Sequence, residues 1–415
     1  MGTALAEPEA ESCRSAHTFR QMRIVALVLA AATLGLPAAA ASPRATVPGL
    51  VYTPGYGNSI LMRFDPLTLE RSGPRVRLGG PASSWGRSPG GRYLAVASRG
   101  RVLTVVEAAT FRVTWRAKLA EGSGLVHAIS WVRPDRVLAV VDTPGGALVV
   151  AVDPGARRIV RRTRLARPFA HALTRVPGGL VFLTRPRSRI APAQLAVADA
   201  EGRVRLARVS RAAIGSTVHD DGRFDSRSPG LAVDPATRRA YVFYAGDGVA
   251  QVDLDTLTVQ YRGAQRTLAK SIGGSFRTAH WLGDGLIALS GADTPATAPG
   301  TRAKPIGLRL VDVRAWTSRT IDPAAEGFTV AGKLLLVADS VHRYGLKVTA
   351  FGVDGRERYR LDLTGSTWLR AQGARGYVCR DAVLTSIVDL RTGAVLRNSP
   401  AATRCPTLLV SYSRF

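Results

Sequence analysis

The chain has 415 residues, 46% hydrophobic and 21% charged, enough apolar material for a large core, which excludes an intrinsically disordered protein. Lys and Arg number 57 against 30 Asp and Glu, a formal charge of +27. That balance excludes an acidic surface and makes an anionic partner a candidate; only five of the basic residues are lysine, and an arginine-heavy chain also arises from nucleotide composition.

Residues 1–21 carry Glu7, Glu9, Glu11 and Cys13 and read as an N-terminal extension unlike the start of an export signal. Residues 22–41 read as a secretory signal peptide: Arg23 behind Met22, an apolar run from Ile24 to Leu36, then Pro37 and an alanine run that offers small residues for cleavage. The mature chain is expected from Ser42, as one domain over 42–415 in a secreted or periplasmic compartment. The charge survives the cut, since Arg14, Arg20 and Arg23 leave together with Glu7, Glu9 and Glu11. An uncleaved anchor is the alternative for this segment, which just reaches spanning length.

From residue 50 onward, short apolar runs are broken every eight to twelve residues by Gly, Pro, Asp or Asn, and no helical period persists. An apolar strand ending in an acidic turn recurs at Asp65, Glu107, Asp153, Asp199, Asp253, Asp312, Asp354 and Asp389, spaced by 42, 46, 46, 54, 59, 42 and 35 residues. This is close to the period of a four-stranded propeller blade. A second turn, such as Ser88-Pro89-Gly90-Gly91 or Val176-Pro177-Gly178-Gly179, precedes each unit from the second onward. One blade therefore lacks its inner strand, and residues 407–410 can supply it. The expected fold is all-β, a β-propeller of eight four-stranded blades closed by the C-terminal strand, which leaves no uncovered sheet. Seven blades is the alternative if one weak unit is misread.

Residues 157–211 hold 14 arginines against Asp199 and Glu201. Arg161, Arg162, Arg164 and Arg167 are expected on an outer strand, where edge arginines also discourage aggregation. Arg185, Arg187 and Arg189 fall in a loop on the face that joins one blade to the next, and His342 and Arg343, beside Asp339 and Tyr344, fall on that face too. These five form the candidate anion- or partner-binding set. On the same face the run His219-Asp220-Asp221-Gly222-Arg223-Phe224-Asp225 gathers an imidazole and three carboxylates. Such oxygens suit Ca2+ or another divalent cation, and a carboxylate beside a histidine can orient it as a base. Turn chemistry alone accounts for Asp-Asp-Gly equally well. His127, His171 and His280 fall on expected inner strands, as channel-lining groups or as hydrogen-bonded packing. Cys13 leaves with the presequence, and the remaining pair, Cys379 and Cys405, is expected to form a disulfide worth about 3–4 kcal/mol on the chain-entropy model.

VYTPGYGNSILMRFDPLTLE at 51–70, RSPGGRYLAVAS at 87–98 and YVFYAGDGVAQVDLDTLTV at 241–259 resemble the repeats of secreted bacterial YVTN-type and WD40-like propellers. VDLRTGAVL at 388–396 is similar to a repeat of quinoprotein-like propellers, whose enzymes stack their cofactor on adjacent cysteines or an aromatic platform with bound calcium; adjacent cysteines do not occur here. The resemblance implies the fold and is nearly silent on activity. No nucleophile elbow, zincin motif, phosphate loop or dinucleotide fingerprint is present. The expected function is a non-catalytic binding or scaffolding module, monomeric, for a protein or an anionic cell-envelope polymer. Nucleic acid is not expected, because no aromatic residues interleave with the arginines. The alternative is a lactonase-like or lyase-like propeller enzyme with a divalent cation at the channel mouth.

Overall fold

The computed structural model describes residues 50–398 apart from 53–58, 69, 71–72, 187–188, 221–223, 264–271, 296–302, 343–344, 365–367, 373 and 381–382. All of them belong to the compact unit Arg44–Phe415. Among the described residues there are strands and turns and no helix, hence no helix long and apolar enough to cross a membrane.

The first sheet is β1 (Leu50–Tyr52), β2 (Ile60–Phe64) and β3 (Val76–Arg77). The second is β4 (Ala82–Arg87), β5 (Tyr93–Ser98), β6 (Val102–Glu107) and β7 (Arg112–Lys118). The third is β8 (Val126–Arg133), β9 (Arg136–Thr143), β10 (Gly146–Asp153) and β11 (Arg158–Leu165). A fourth meander follows as β12 (Phe169–Val176), β13 (Gly179–Thr184), β14 (Ala191–Asp199) and β15 (Val204–Val218), then the linking strand β16 (Phe224–Ser228). The fifth sheet is β17 (Gly230–Asp234), β18 (Arg239–Tyr244), β19 (Gly248–Asp253) and β20 (Val259–Arg262). The sixth meander comprises β21 (Ile272–Gly283), β22 (Leu286–Pro295), the short β23 (Lys304–Pro305) on β22, β24 (Leu308–Asp312) and β25 (Thr317–Asp322). Through β16 the fourth and sixth meanders are hydrogen-bonded into one continuous sheet. The seventh unit is β26 (Thr329–Ala331), β27 (Leu334–His342), β28 (Gly345–Gly352) and β29 (Glu357–Thr364). The last is β30 (Trp368–Gln372), β31 (Arg375–Arg380), β32 (Val383–Asp389) and β33 (Val395–Asn398).

Neighbouring units share apolar layers. Leu61 and Val76 pack with Leu94 and Val96, Val105 with Ile129 and Val150, and Leu138 and Val149 with Leu180 and Phe182. The same arrangement continues through Val242 with Val209, Phe243 with Ile287, Leu310 with Leu335, and Leu336 with Leu369. The central strands are thus covered on both faces, which is why they read as continuous apolar runs rather than alternating ones. The first strands of successive units pack on one another, β4 on β8, β8 on β12, β12 on β17 and β17 on β21. At the two ends Tyr377 Oη donates to the Pro66 carbonyl at 3.1 Å and Arg397 Nη1 to the Leu67 carbonyl at 3.4 Å. The result is a propeller-like ring. Its closure by residues 407–410 lies outside the described residues.

The recurring acid builds its own turn. Asp65 Oδ1 accepts from the Leu67 and Thr68 amides at 2.8 and 2.7 Å, and Asp253 and Asp312 repeat the pattern. Those amide bonds hold all three carboxyls below the usual aspartate range. Side chains of one unit then donate to carbonyls of the next unit's acidic turn. Arg63 reaches the Ala108 carbonyl at 3.0 Å, Thr163 reaches Gly202 at 2.7 Å, Arg205 reaches Leu254 at 2.6 Å, and Tyr359 reaches Leu390. Part of the arginine excess is therefore structural.

Candidate functional site

The run 219–225, expected on the loop-bearing face, joins two paired strands, and the segment 210–228 around it is largely strand. β15 runs on to Val218, turns, and returns as β16, pairing Val218 with Phe224, Thr217 with Asp225 and Gly215 with Arg227. β16 then pairs in parallel with β21, Arg227 opposite Ser275, and β21 pairs with β22, Ser275 opposite Asp293. Because side chains alternate across a strand, one side of this ribbon carries Thr217, His219, Asp225, Arg227, Ser275, Arg277 and Asp293.

These groups are tied together. His219 Nε2 and Asp225 Oδ2 are 2.9 Å apart, with the side chains 34% and 14% exposed. Arg277 is almost wholly enclosed, 1% exposed, and donates from Nη2 to Asp293 Oδ2 at 2.8 Å and to the Gly246 carbonyl at 3.2 Å. Its Nη1 reaches the Ala292 carbonyl at 3.1 Å. Burial lowers the Arg227 pKa from its ordinary value, against the opposing pull of Asp225 and Asp293. Thr217 Oγ1 accepts from the Ile190 amide at 3.3 Å, tying the residue ahead of β14 to the ribbon.

A second pair lies at the ends of β8 and β9, where His127 Nε2 and Asp142 Oδ2 are 2.6 Å apart and the His127 ring lies 4.9 Å from that of Phe169. The buried Arg101, at φ 58°, donates to the Glu121 carbonyl and, at 2.5 Å, to the Asp142 carbonyl. His280 on β21 keeps solvent access, yet enclosure by protein lowers its pKa below that of an ordinary histidine.

Of the sequence-derived candidates, the structure joins His219 to Asp225; Asp220 is exposed at the turn and Asp221 lies outside the described residues. Among the described residues no three metal-ligating side chains converge, and His219 Nε2 and Asp225 Oδ2 are engaged with each other. Arg189 is exposed and Arg185 half-buried, its amide bonded to the Pro168 carbonyl at 3.0 Å. Arg187 and Arg343 lie outside the described residues, as does Cys405; His342 ends β27 and Cys379 is buried on β31. The side chain of His171 is likewise outside them. Arg227, Arg277, Asp293, Arg101 and Asp142 were not among the candidates. The sequence signal that could have flagged Arg227 and Arg277 is alternation in the inverted phase, charged at 225 and 227 and again at 277, with aromatic Phe224 and Phe276 at the intervening parity.

The arginine-rich outer strands divide into two groups. Arg162 donates to the Leu119 carbonyl at 3.0 Å and to that of Lys118 at 3.1 Å, and Arg211 sits 4.5 Å over the Tyr261 ring. Arg158, Arg161 and Arg164 on β11 and Arg208 on β15 are exposed. On the acidic-turn side, Asp199, Arg203, Arg205 and Arg238 line a cleft of about 450 Å³.

No protein-family model matches the sequence, and no curated protein matches it. Solved structures do. A structure of dihydro-heme d1 dehydrogenase NirN in complex with DHE aligns over 87% of this chain and 74% of its own, at TM-score 0.58 and 13% identity. Apo AztD from Citrobacter koseri aligns over 86% of this chain and 96% of its own, at TM-score 0.54 and 11% identity. The fold is that of a β-propeller. At these identities the likeness is one of fold alone, and the site belongs to this chain's own residues.

Proposed function

We propose that this chain is a secreted or periplasmic propeller of eight blades, closed by residues 407–410, that binds or scaffolds an anionic partner without catalysis. The observation that carries this reading is the display of arginine on consecutive outer strands: Arg161, Arg164 and Arg208 are exposed and enter no ion pair among the described residues. The set Arg185, Arg187, Arg189, His342 and Arg343 would extend the basic surface onto the loop-bearing face. An acidic protein or an anionic envelope polymer is the partner such forks recognise. Export by residues 22–41 and a disulfide between Cys379 and Cys405 complete the reading, the latter supported by the burial of Cys379. The test is binding of long-chain polyphosphate to the full chain and to the triple variant Arg161→Glu, Arg164→Glu, Arg208→Glu. An affinity at least about 10-fold weaker in the variant is expected, and equal affinity overturns the reading.

A second reading is favoured by the 2.9 Å contact of His219 with Asp225, which orients the imidazole as a base would require. In it the chain is a lactonase-like or lyase-like enzyme, with a divalent cation held by the 219–225 turn. Thermal melting with Ca2+, Mg2+ and a chelator separates the two, because a ligand of the native state must stabilise it. A cation-dependent rise in Tm lost in Asp220→Ala, Asp221→Ala supports the enzyme; an unchanged Tm leaves the binding module.

A further inference from the structure

The β15–β16 ribbon is amphipathic in the opposite sense to a soluble sheet. The side bearing Asp225, Arg227 and Arg277 is turned into the protein, whereas the other side puts Val218 and Phe224 into solvent at 71% and 63% exposure. These two are directly paired across the strands, and Phe276, 38% exposed, continues the same side. No other large apolar residue among those described is as exposed as Val218 or Phe224. Isolated apolar residues on a surface are ordinary; an apolar pair at the end of a hairpin, backed by a buried ionic network, is not.

We propose that this hairpin is a membrane-docking finger, which seats Val218 and Phe224 in the interfacial layer of an anionic lipid surface. It rests on the basic surface of the anionic-partner reading above and adds an anionic lipid surface to what that basic chain meets. Two features of the molecule select lipid. An apolar pair is far smaller than the core of a stable protein interface, which takes about 800 Å² from each partner. It suffices for interfacial anchoring when electrostatic attraction adds to it. That attraction is at hand: the chain carries +27, and the exposed Arg189 lies in the loop pinned to the ribbon through Thr217. Asp220, exposed at the turn, opposes it locally. The parallel pairing of β16 with β21 anchors one strand of the finger to the sheet, so less ordering accompanies insertion.

The test is flotation of the full chain with phosphatidylcholine vesicles, with and without phosphatidylglycerol. Binding to the anionic vesicles is expected, and Val218→Ser, Phe224→Ser should weaken it by about 10-fold or more. A control pair on β33, Val395→Ser, Leu396→Ser, should leave it unchanged, and both variants should keep the parent Tm because the substituted side chains are solvent-exposed. Asp220→Asn should strengthen binding by removing an opposing charge. In Phe224→Trp the indole emission should shift to the blue on addition of anionic vesicles and be quenched by brominated lipid. Vesicle binding unaffected by the hairpin variant overturns the proposal, as does an indole that stays in water while the protein is bound. Self-association abolished by the same variant, without vesicle binding, assigns the finger to a second copy and also overturns it. If polyphosphate binding survives in any of these cases, the anionic-partner reading stands and only the finger falls.

Discussion

The third sheet and the β15–β16 ribbon are made from similar residues by opposite rules. In the third sheet, residues 137–141 and 147–152 are buried on both faces because sheets pack on either side, and the arginines of β11 are pushed to the outer edge. In the ribbon only one side is enclosed, and that side holds the charges while the apolar residues face out. A fold maintained by burial alone would not choose the second arrangement. The difference separates the part of the molecule that makes the ring from the part the ring presents.

Substitutions in each region sharpen that contrast. Arg277→Ala strips the buried partner from Asp293 and should cost about 3–5 kcal/mol, read by urea denaturation. Leu138→Ala in the third sheet should cost a comparable amount, roughly 2–5 kcal/mol, from its cavity. If Arg277→Ala instead costs under about 1 kcal/mol, the ionic network is ornamental and the contrast fails. Gly86→Ala should follow at about 1–3 kcal/mol, because a Cβ there would lie 2.8 Å from the Ile129 carbonyl oxygen where the second and third sheets meet.

Smaller effects belong to the acidic turns. Arg157 stands at φ 53° with its side chain exposed, so Arg157→Gly should raise stability by about 0.5–1 kcal/mol. Asp389 is held at about 2 by Arg391, through its side chain and its amide. The folded pKa is depressed, so the contribution is present above the unfolded value, about 3.9, and is lost as pH falls through the folded one. The stability difference between the parent and Asp389→Asn should therefore shrink as pH is lowered from about 4 towards 2, followed by chemical denaturation at each pH.

The acidic turns were legible in the sequence because the whole device is local, with an aspartate accepting amides two and three residues on. The repeated apolar runs were legible for a related reason, since each central strand is covered on both faces. The parallel pairing of Arg227 with Ser275 was not, because nothing within either segment encodes a partner so far along the chain. The outer strand that carries Arg161, Arg162 and Arg164 was legible; what each arginine meets there was not, for the same reason. Arg162 and Arg205 bind carbonyls of neighbouring units, and only the fold separates them from Arg161, Arg164 and Arg208, which are exposed. His219 and Asp225 were legible as members of one short run; which carboxylate meets the imidazole, and the network behind Asp225, were not.

The most direct test of the anionic-partner account is the affinity of the full chain for polyphosphate across NaCl from about 0.05 to 0.5 M, over which the screening length falls severalfold. The account predicts binding at low salt that weakens steadily and steeply as salt rises. Affinity indifferent to salt, or no binding at the lowest concentration, would contradict it.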